Sequence, residues 1–265
     1  MRDKAGLLIP ILLIVVAEAF TFSSQIEASL AVHALNIFIC ILIPVFTVER
    51  TLMYQSFALI SMLRVLNIGM PIFFELTIYW LPFIYGSIIL AGYIVWRQTV
   101  VDAKKMNWRN LLRFLNGKDL REKVQWCWEY VLFAIIFGFL FANLEYAVLN
   151  NDAMVAGLGA VDLTMLFLVM VVFVGLGEEI VFRGFLQSAI TPKYGSIAAV
   201  LISSFLFAIM HSGYHSIPYL FFVFGVGLIL GASYERTGSL GLVALMHGIL
   251  NFFLFSLIPL GYNLV

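Results

Sequence analysis

Charge is scarce in this chain. Of its 265 residues only 11% are Asp, Glu, Lys or Arg, against roughly a quarter in an ordinary soluble domain. Hydrophobic residues make up 63%. These two figures exclude a soluble globular enzyme and a disordered chain, because one core cannot hide so much apolar surface. Neither sign of charge is in surplus: 15 Lys and Arg balance 15 Asp and Glu. Nothing therefore recommends nucleic acid or an acidic partner. Cysteine is nearly missing. Cys40 and Cys127 fall in different hydrophobic segments, which excludes a disulfide scaffold and supports no Cys-based metal site; both read as buried apolar thiols. Strict apolar–polar alternation is absent as well, which argues against a membrane β-barrel.

What remains is long hydrophobic runs. Residues 28–48, 76–96, 194–234 and 237–265 contain no Asp, Glu, Lys or Arg. A spanning helix needs about 20 mostly apolar residues. The run at 194–234 is twice that and is broken by Ser212-Gly213-Tyr214-His215-Ser216-Ile217-Pro218, a turn signal. The expectation is an all-α polytopic transmembrane bundle with spans near 6–22, 28–47, 52–68, 72–95, 126–148, 160–182, 195–211, 217–233 and 238–259. That makes nine, or eight if the Arg64-bearing segment 52–68 is not a full crossing. The first span, with Arg2 and Lys4 before it and Glu18 inside it, reads as a retained helix and not as a removed signal peptide.

One interval is polar. Residues 97–123 hold eight of the fifteen basic residues: Arg97, Lys104, Lys105, Arg109, Arg113, Lys118, Arg121 and Lys123. The positive-inside bias puts this loop in the cytoplasm, and four preceding spans then put the N-terminus there too. Trp96, Trp108, Trp126 and Trp128 flank it as interfacial anchors, and Trp108, Leu111, Leu112 and Leu115 suit a surface helix. The expected organisation is an N-terminal four-span region (1–96), a basic loop (97–125) and a C-terminal helical core (126–265), set in the cell membrane.

Ionisable side chains inside a bilayer cost at least about 2.5 kcal/mol each, so their positions carry information. Glu18, His33, Arg64 and Glu75 are scattered one per helix, as expected for residues that pair across helices or snorkel. The C-terminal part is different. Three of the four histidines, His211, His215 and His247, lie there with Glu178, Glu179, Arg183 and Asn251. Glu179 and Arg183 are i,i+4 and can form a salt bridge, with Glu178 about 100° further round. Phe207 and His211 share that spacing, as do His247 and Asn251. Three helices thus present polar groups able to converge on one cavity. Glycines at 175, 177, 184, 225, 227, 231, 241 and 248 suit close helix packing.

In order and spacing, Glu178-Glu179-x-x-x-Arg183, Phe207-x-x-x-His211 and His247-x-x-x-Asn251 resemble the CPBP (Abi) family, which includes type II CAAX prenyl endopeptidases and bacteriocin-processing intramembrane proteases. The resemblance extends over about 160–256 and leaves the first four spans unexplained. It implies an intramembrane endopeptidase in which Glu178 is the general base for a water and His211 helps hold it. Glu179 and Arg183 would fix the helix face, and His247 and Asn251 would stabilise the oxyanion. No metal is needed on that reading. A zinc form of the reaction would use Glu178, His211 and His247 as ligands, with His215 as a spare. Implied partners are membrane lipid and a membrane-associated peptide, a prenylated tail or a leader peptide; no nucleic acid is expected. A proton- or ion-coupled transporter and a non-catalytic membrane scaffold are the readings from other functional classes.

Overall fold

The computed structural model describes residues 2–46, 51–73, 78–100 and 128–264. Among these residues the chain is all helical, with nine helices and no strand. They are α1 (Arg2–Phe22), α2 (Ile26–Phe46), α3 (Thr51–Phe73), α4 (Leu81–Val100), α5 (Trp128–Leu149), α6 (Ala160–Tyr194), α7 (Ser196–Ile209), α8 (Ile217–Thr237) and α9 (Leu240–Phe255). Arg97 lies in the last turn of α4, whereas the rest of the basic loop from 101 onward, the expected surface helix there, Glu75, Trp108, Trp126 and Cys127 lie outside the described residues.

Six helical stretches are long and apolar enough to cross a membrane: Ile26–Val45, Leu52–Met70, Trp128–Leu149, Ala160–Tyr194, Ser196–Tyr214 and Ile217–Thr237. Leu7–Phe22, Leu81–Arg97 and Leu240–Phe255 are apolar and shorter. Arg64 does not disqualify its helix. The outward surface agrees. On α5, Leu132, Ile136, Leu140, Leu144 and Val148 recur every four residues and are all exposed. Such a stripe is a liability in water and costs nothing against lipid tails, where only the backbone must satisfy itself.

Two boundaries differ most from the sequence expectation. The fourth helix starts at Leu81, after a turn at 78–80, and not near 72. Pro82 in its first turn suits a helix start, where a missing N–H costs nothing. The sixth helix does not end near 182. It runs to Tyr194 and stops where Gly195 takes a φ of +81°, a conformation glycine adopts freely. Arg183, one residue past the expected end of this span, is fully buried inside the protein.

The chain divides into two compact units. Unit 1 comprises Met1–Leu76, Leu90–Asp102 and Val181–Leu228; unit 2 comprises Thr77–Ile89, Ala103–Ile180 and Ile229–Val265.

In unit 1, α1, α2 and α3 pack together around a buried polar network. Glu18 Oε1 lies 3.1 Å from His33 Nε2, and Glu18 Oε2 accepts from Arg64 at 2.9 Å. Ser61 Oγ accepts from Asn36 at 2.8 Å and lies 3.2 Å from His33 Nδ1. The bonds balance with His33 neutral and protonated on Nε2: Ser61, already accepting from Asn36, donates to Nδ1. The charges of Glu18 and Arg64 then cancel, which is what makes burial of both tolerable. These three ionisable groups pair across helices, one of the two outcomes expected. Cys40 is a buried free thiol on α2. Trp96 is buried, its ring tilted against that of Tyr93 with centroids 6.0 Å apart, whereas Trp128 is exposed.

In unit 2, α9 packs against α5 and the first half of α6. Glycine makes the approach possible. A Cβ at Gly175 would meet the Ala244 carbonyl oxygen at 2.7 Å, and one at Gly248 would meet Val171 Cα at 2.5 Å. Both ends of α9 are tied. Ser239 Oγ accepts the Leu242 N–H at 3.2 Å. At the other end, Asn151 Nδ2 and Met154 N donate to the Leu254 and Phe255 carbonyls at 3.0 and 2.9 Å.

Candidate active site

The acidic pair sits in an unusual stretch of helix. Residues Leu176–Glu179 form one α-helical turn between two π-helical segments, Val169–Gly175 and Ile180–Gln187. Wider π turns shift the side-chain register and recur at functional sites. Glu178 and Glu179 are both buried.

Within unit 2, both carboxylates reach one imidazole. His247, on α9, donates from Nδ1 to Glu179 Oε1 at 2.8 Å. Its Nε2 lies 4.0 Å from Glu178 Oε2. The other oxygen of Glu178 is occupied: Tyr85 Oη, on α4, donates to Oε1 at 2.7 Å. Tyr85 fits because residue 177 is glycine; a Cβ there would come within 3.0 Å of the Tyr85 ring. The result is a buried chain, Tyr85–Glu178–His247–Glu179. Its His–carboxylate bond sets which ring nitrogen faces the other acid. Asn251, one turn beyond His247, is half-buried.

Unit 1 holds the remaining motif residues. His211 follows the end of α7, and its Nδ1 donates to the Phe207 carbonyl at 2.9 Å. The His211 ring lies 5.0 Å from the Phe207 ring and edge-on to Tyr219 at 6.0 Å. Phe207 carries the Arg183 guanidinium 4.6 Å above its ring, and Arg183 donates to the Gly227 carbonyl at 3.0 Å. A fully buried arginine is held by a cation–π face and a backbone acceptor. Gly227 admits this packing, since a Cβ would lie 3.3 Å from Phe207. His215 is exposed, with Nδ1 2.8 Å from the Phe22 carbonyl oxygen. Among the described residues no three His, Cys, Asp or Glu side chains form a group able to hold a metal ion.

Residues 160–253 match the family described as Type II CAAX prenyl endopeptidase Rce1-like. This segment is similar to that family. The Rce1-like segment contains every motif residue named above from Glu178 to Asn251, and Tyr85 lies outside it. The chain is also 27% identical over 174 residues to the UPF0177 protein YxdF of Lactococcus lactis subsp. lactis (strain IL1403), covering 63% of this chain and 88% of that protein. No solved structure matches the chain. A segment that resembles this protease family therefore lies among helices long and apolar enough to cross a membrane.

Sequence reasoning missed Tyr85. A tyrosine one turn into a helix reads as an interfacial anchor, so nothing in the sequence alone marks it as a partner of Glu178.

Proposed function

We propose that this chain is an intramembrane endopeptidase that hydrolyses a peptide bond in a lipidated or membrane-associated tail or leader peptide, with Glu178 as general base. The observation that carries the reading is the buried chain Tyr85–Glu178–His247–Glu179. It sets two buried carboxylates on either side of one imidazole in a chain with only 11% charged residues. Tyr85 engages Oε1 of Glu178, so Oε2 is the oxygen that meets water. Two hydrogen bonds of roughly 2.8 Å to one water span a 4.0 Å gap at an angle near 90°. The Glu178–Nε2 separation therefore admits a bridging water.

The reaction balances as follows. Glu178 takes a proton from the water as its oxygen attacks the scissile carbonyl carbon. The carbonyl electron pair moves to oxygen. Nε2–H of His247 and the Asn251 amide are the donors for that oxyanion. Collapse breaks the C–N bond, and the proton on Glu178 passes to the leaving amine. With Nδ1–H given to Glu179, His247 must be doubly protonated to act here, and the Glu179 carboxylate balances that charge. The resemblance gives His211, whose Nδ1–H goes to the Phe207 carbonyl, a part in holding the water. Arg183 and Phe207 brace the helix that bears the acids. The loop at 97–123 faces the cytoplasm of the cell membrane on the charge bias.

The His247–Glu179 bond is also the arrangement that orients a metal-ligating imidazole, so the zinc form is the second reading, and no step above runs through a metal. The deciding experiment uses the full chain in liposomes with a panel of prenylated tails, unprenylated tails and leader peptides, products being read by mass spectrometry. One internal bond should be cut, with or without chelator. Chelator-sensitive cleavage restored by one zinc per chain overturns the metal-free mechanism. Proton flux without cleavage overturns the protease reading in favour of a transporter; neither flux nor cleavage on any member favours a scaffold.

Tyr85→Phe tests the carboxylate's orientation. It removes one neutral donor to a charged acceptor, worth about 1.5–3 kcal/mol. Turnover should fall at least severalfold with KM nearly constant; an unchanged turnover removes Tyr85 from the site.

A further inference from the structure

The Rce1-like motif leaves the first three helices without a role, yet they touch the chain next to one motif residue. All contacts here lie within unit 1. At His211 the backbone leaves α7 with φ −96° and ψ 12°, Ser212–Tyr214 make a short 3-10 turn, and His215 is left-handed at φ 53°. A histidine at a helix end points where the following turn lets it point. That turn is tied down on α1 and α3. Ser212, buried, donates from Oγ to Glu18 Oε2 and accepts from Arg64 at 3.0 Å. Arg64 also binds Glu18 Oε2 at 2.9 Å, closing a three-residue knot. His33, 3.1 Å from the other oxygen of Glu18, keeps the carboxylate from rotating. Three residues further on, His215 Nδ1 lies 2.8 Å from the Phe22 carbonyl oxygen at the end of α1. Between the two ties, a Cβ on Gly213 would lie 3.5 Å from the Arg64 guanidinium.

We propose that the buried Glu18–Arg64–Ser212 knot is a clamp on the turn after His211, so that α1, α2 and α3 supply the positioning residues for that imidazole. The clamp rests on the reading of His211 as a group that holds the attacked water. A charged pair suits the task because its bonds are directional and stronger than neutral ones, whereas apolar packing would let the turn slide. Ser212 is the link: it alone among the three is one residue from His211.

Ser212→Ala is the cleanest probe, since it leaves the Glu18–Arg64 and Glu18–His33 contacts standing. In the full chain, kcat should fall about tenfold, as expected for a displaced reacting group. KM should stay within about twofold and the melting midpoint in detergent should hold. His215→Ala, at an exposed position, should show the same split more weakly and serves if Ser212→Ala does not fold. In a His211→Ala background, whose residual turnover is read in long incubations, Ser212→Ala should add little. Unchanged kcat in both single variants, or a loss that only tracks the folded fraction, overturns the clamp. Full activity of His211→Ala alone overturns the reading of His211 itself, a separate outcome.

Discussion

Glu178→Gln is expected to lower peptide cleavage about 10²–10⁴-fold, the range that positioned general bases supply. The substitution keeps size and leaves an amide oxygen to accept from Tyr85 Oη, now 2.7 Å from Glu178 Oε1. It removes only the ability to take a proton on the side facing His247. Binding of the peptide should survive, so the loss belongs in kcat and not in KM. The protein should remain as stable as wild type or more so, because one buried carboxylate has been made neutral. Product analysis under single-turnover conditions, beside a melting curve in detergent, checks both halves. Wild-type turnover in a well-folded Glu178→Gln protein ends the base assignment.

Gly248→Val should produce the largest structural effect. A Cβ at this position would lie 2.5 Å from Val171 Cα and 2.8 Å from the Met170 carbonyl oxygen. Both are backbone atoms and cannot swing aside, so α9 must move away from α6. Overpacking of this kind costs about 1–3 kcal/mol. It also strikes the site, because His247 is the preceding residue and its 2.8 Å bond to Glu179 spans the same two helices. A lowered melting midpoint and a sharp loss of cleavage are expected together. Gly225→Ala is the control: a Cβ there meets nothing within 4 Å, so stability should change by no more than about 0.5 kcal/mol. A Gly248→Val protein that melts like wild type shows that α6 and α9 are not in close contact.

Much of the architecture was legible in composition. A stretch of some twenty residues without charge has one stable form in lipid, because only a helix satisfies its own backbone there. The boundaries were less legible where a residue's surroundings outweigh its own preference. Arg183 looks like the end of a span to any hydropathy argument. Its burial against Phe207 and the Gly227 carbonyl comes from residues far along the chain. Helix α6 therefore continues until Gly195, whose left-handed backbone is a local property.

The candidate site divides along the same line. Residue type and helical spacing singled out Glu178, His211, His247 and Asn251 as candidates, the family resemblance gave them roles, and the i,i+4 spacing paired Glu179 with Arg183. The bond from His247 to Glu179 joins residues 68 apart, and no helical periodicity could anticipate it. Tyr85 and the Glu18–Arg64–Ser212 knot are the same kind of fact, with separations of 93 and up to 194 residues.

From the amino-acid order alone came a helical membrane protein and a short set of chemically able side chains. Both follow from free energies that act residue by residue: transfer of apolar groups out of water, and the cost of placing a charge in hydrocarbon. Which of those side chains touch was decided by packing. Two helices lacking Cβ atoms at their crossing came close enough for one imidazole to meet two acids.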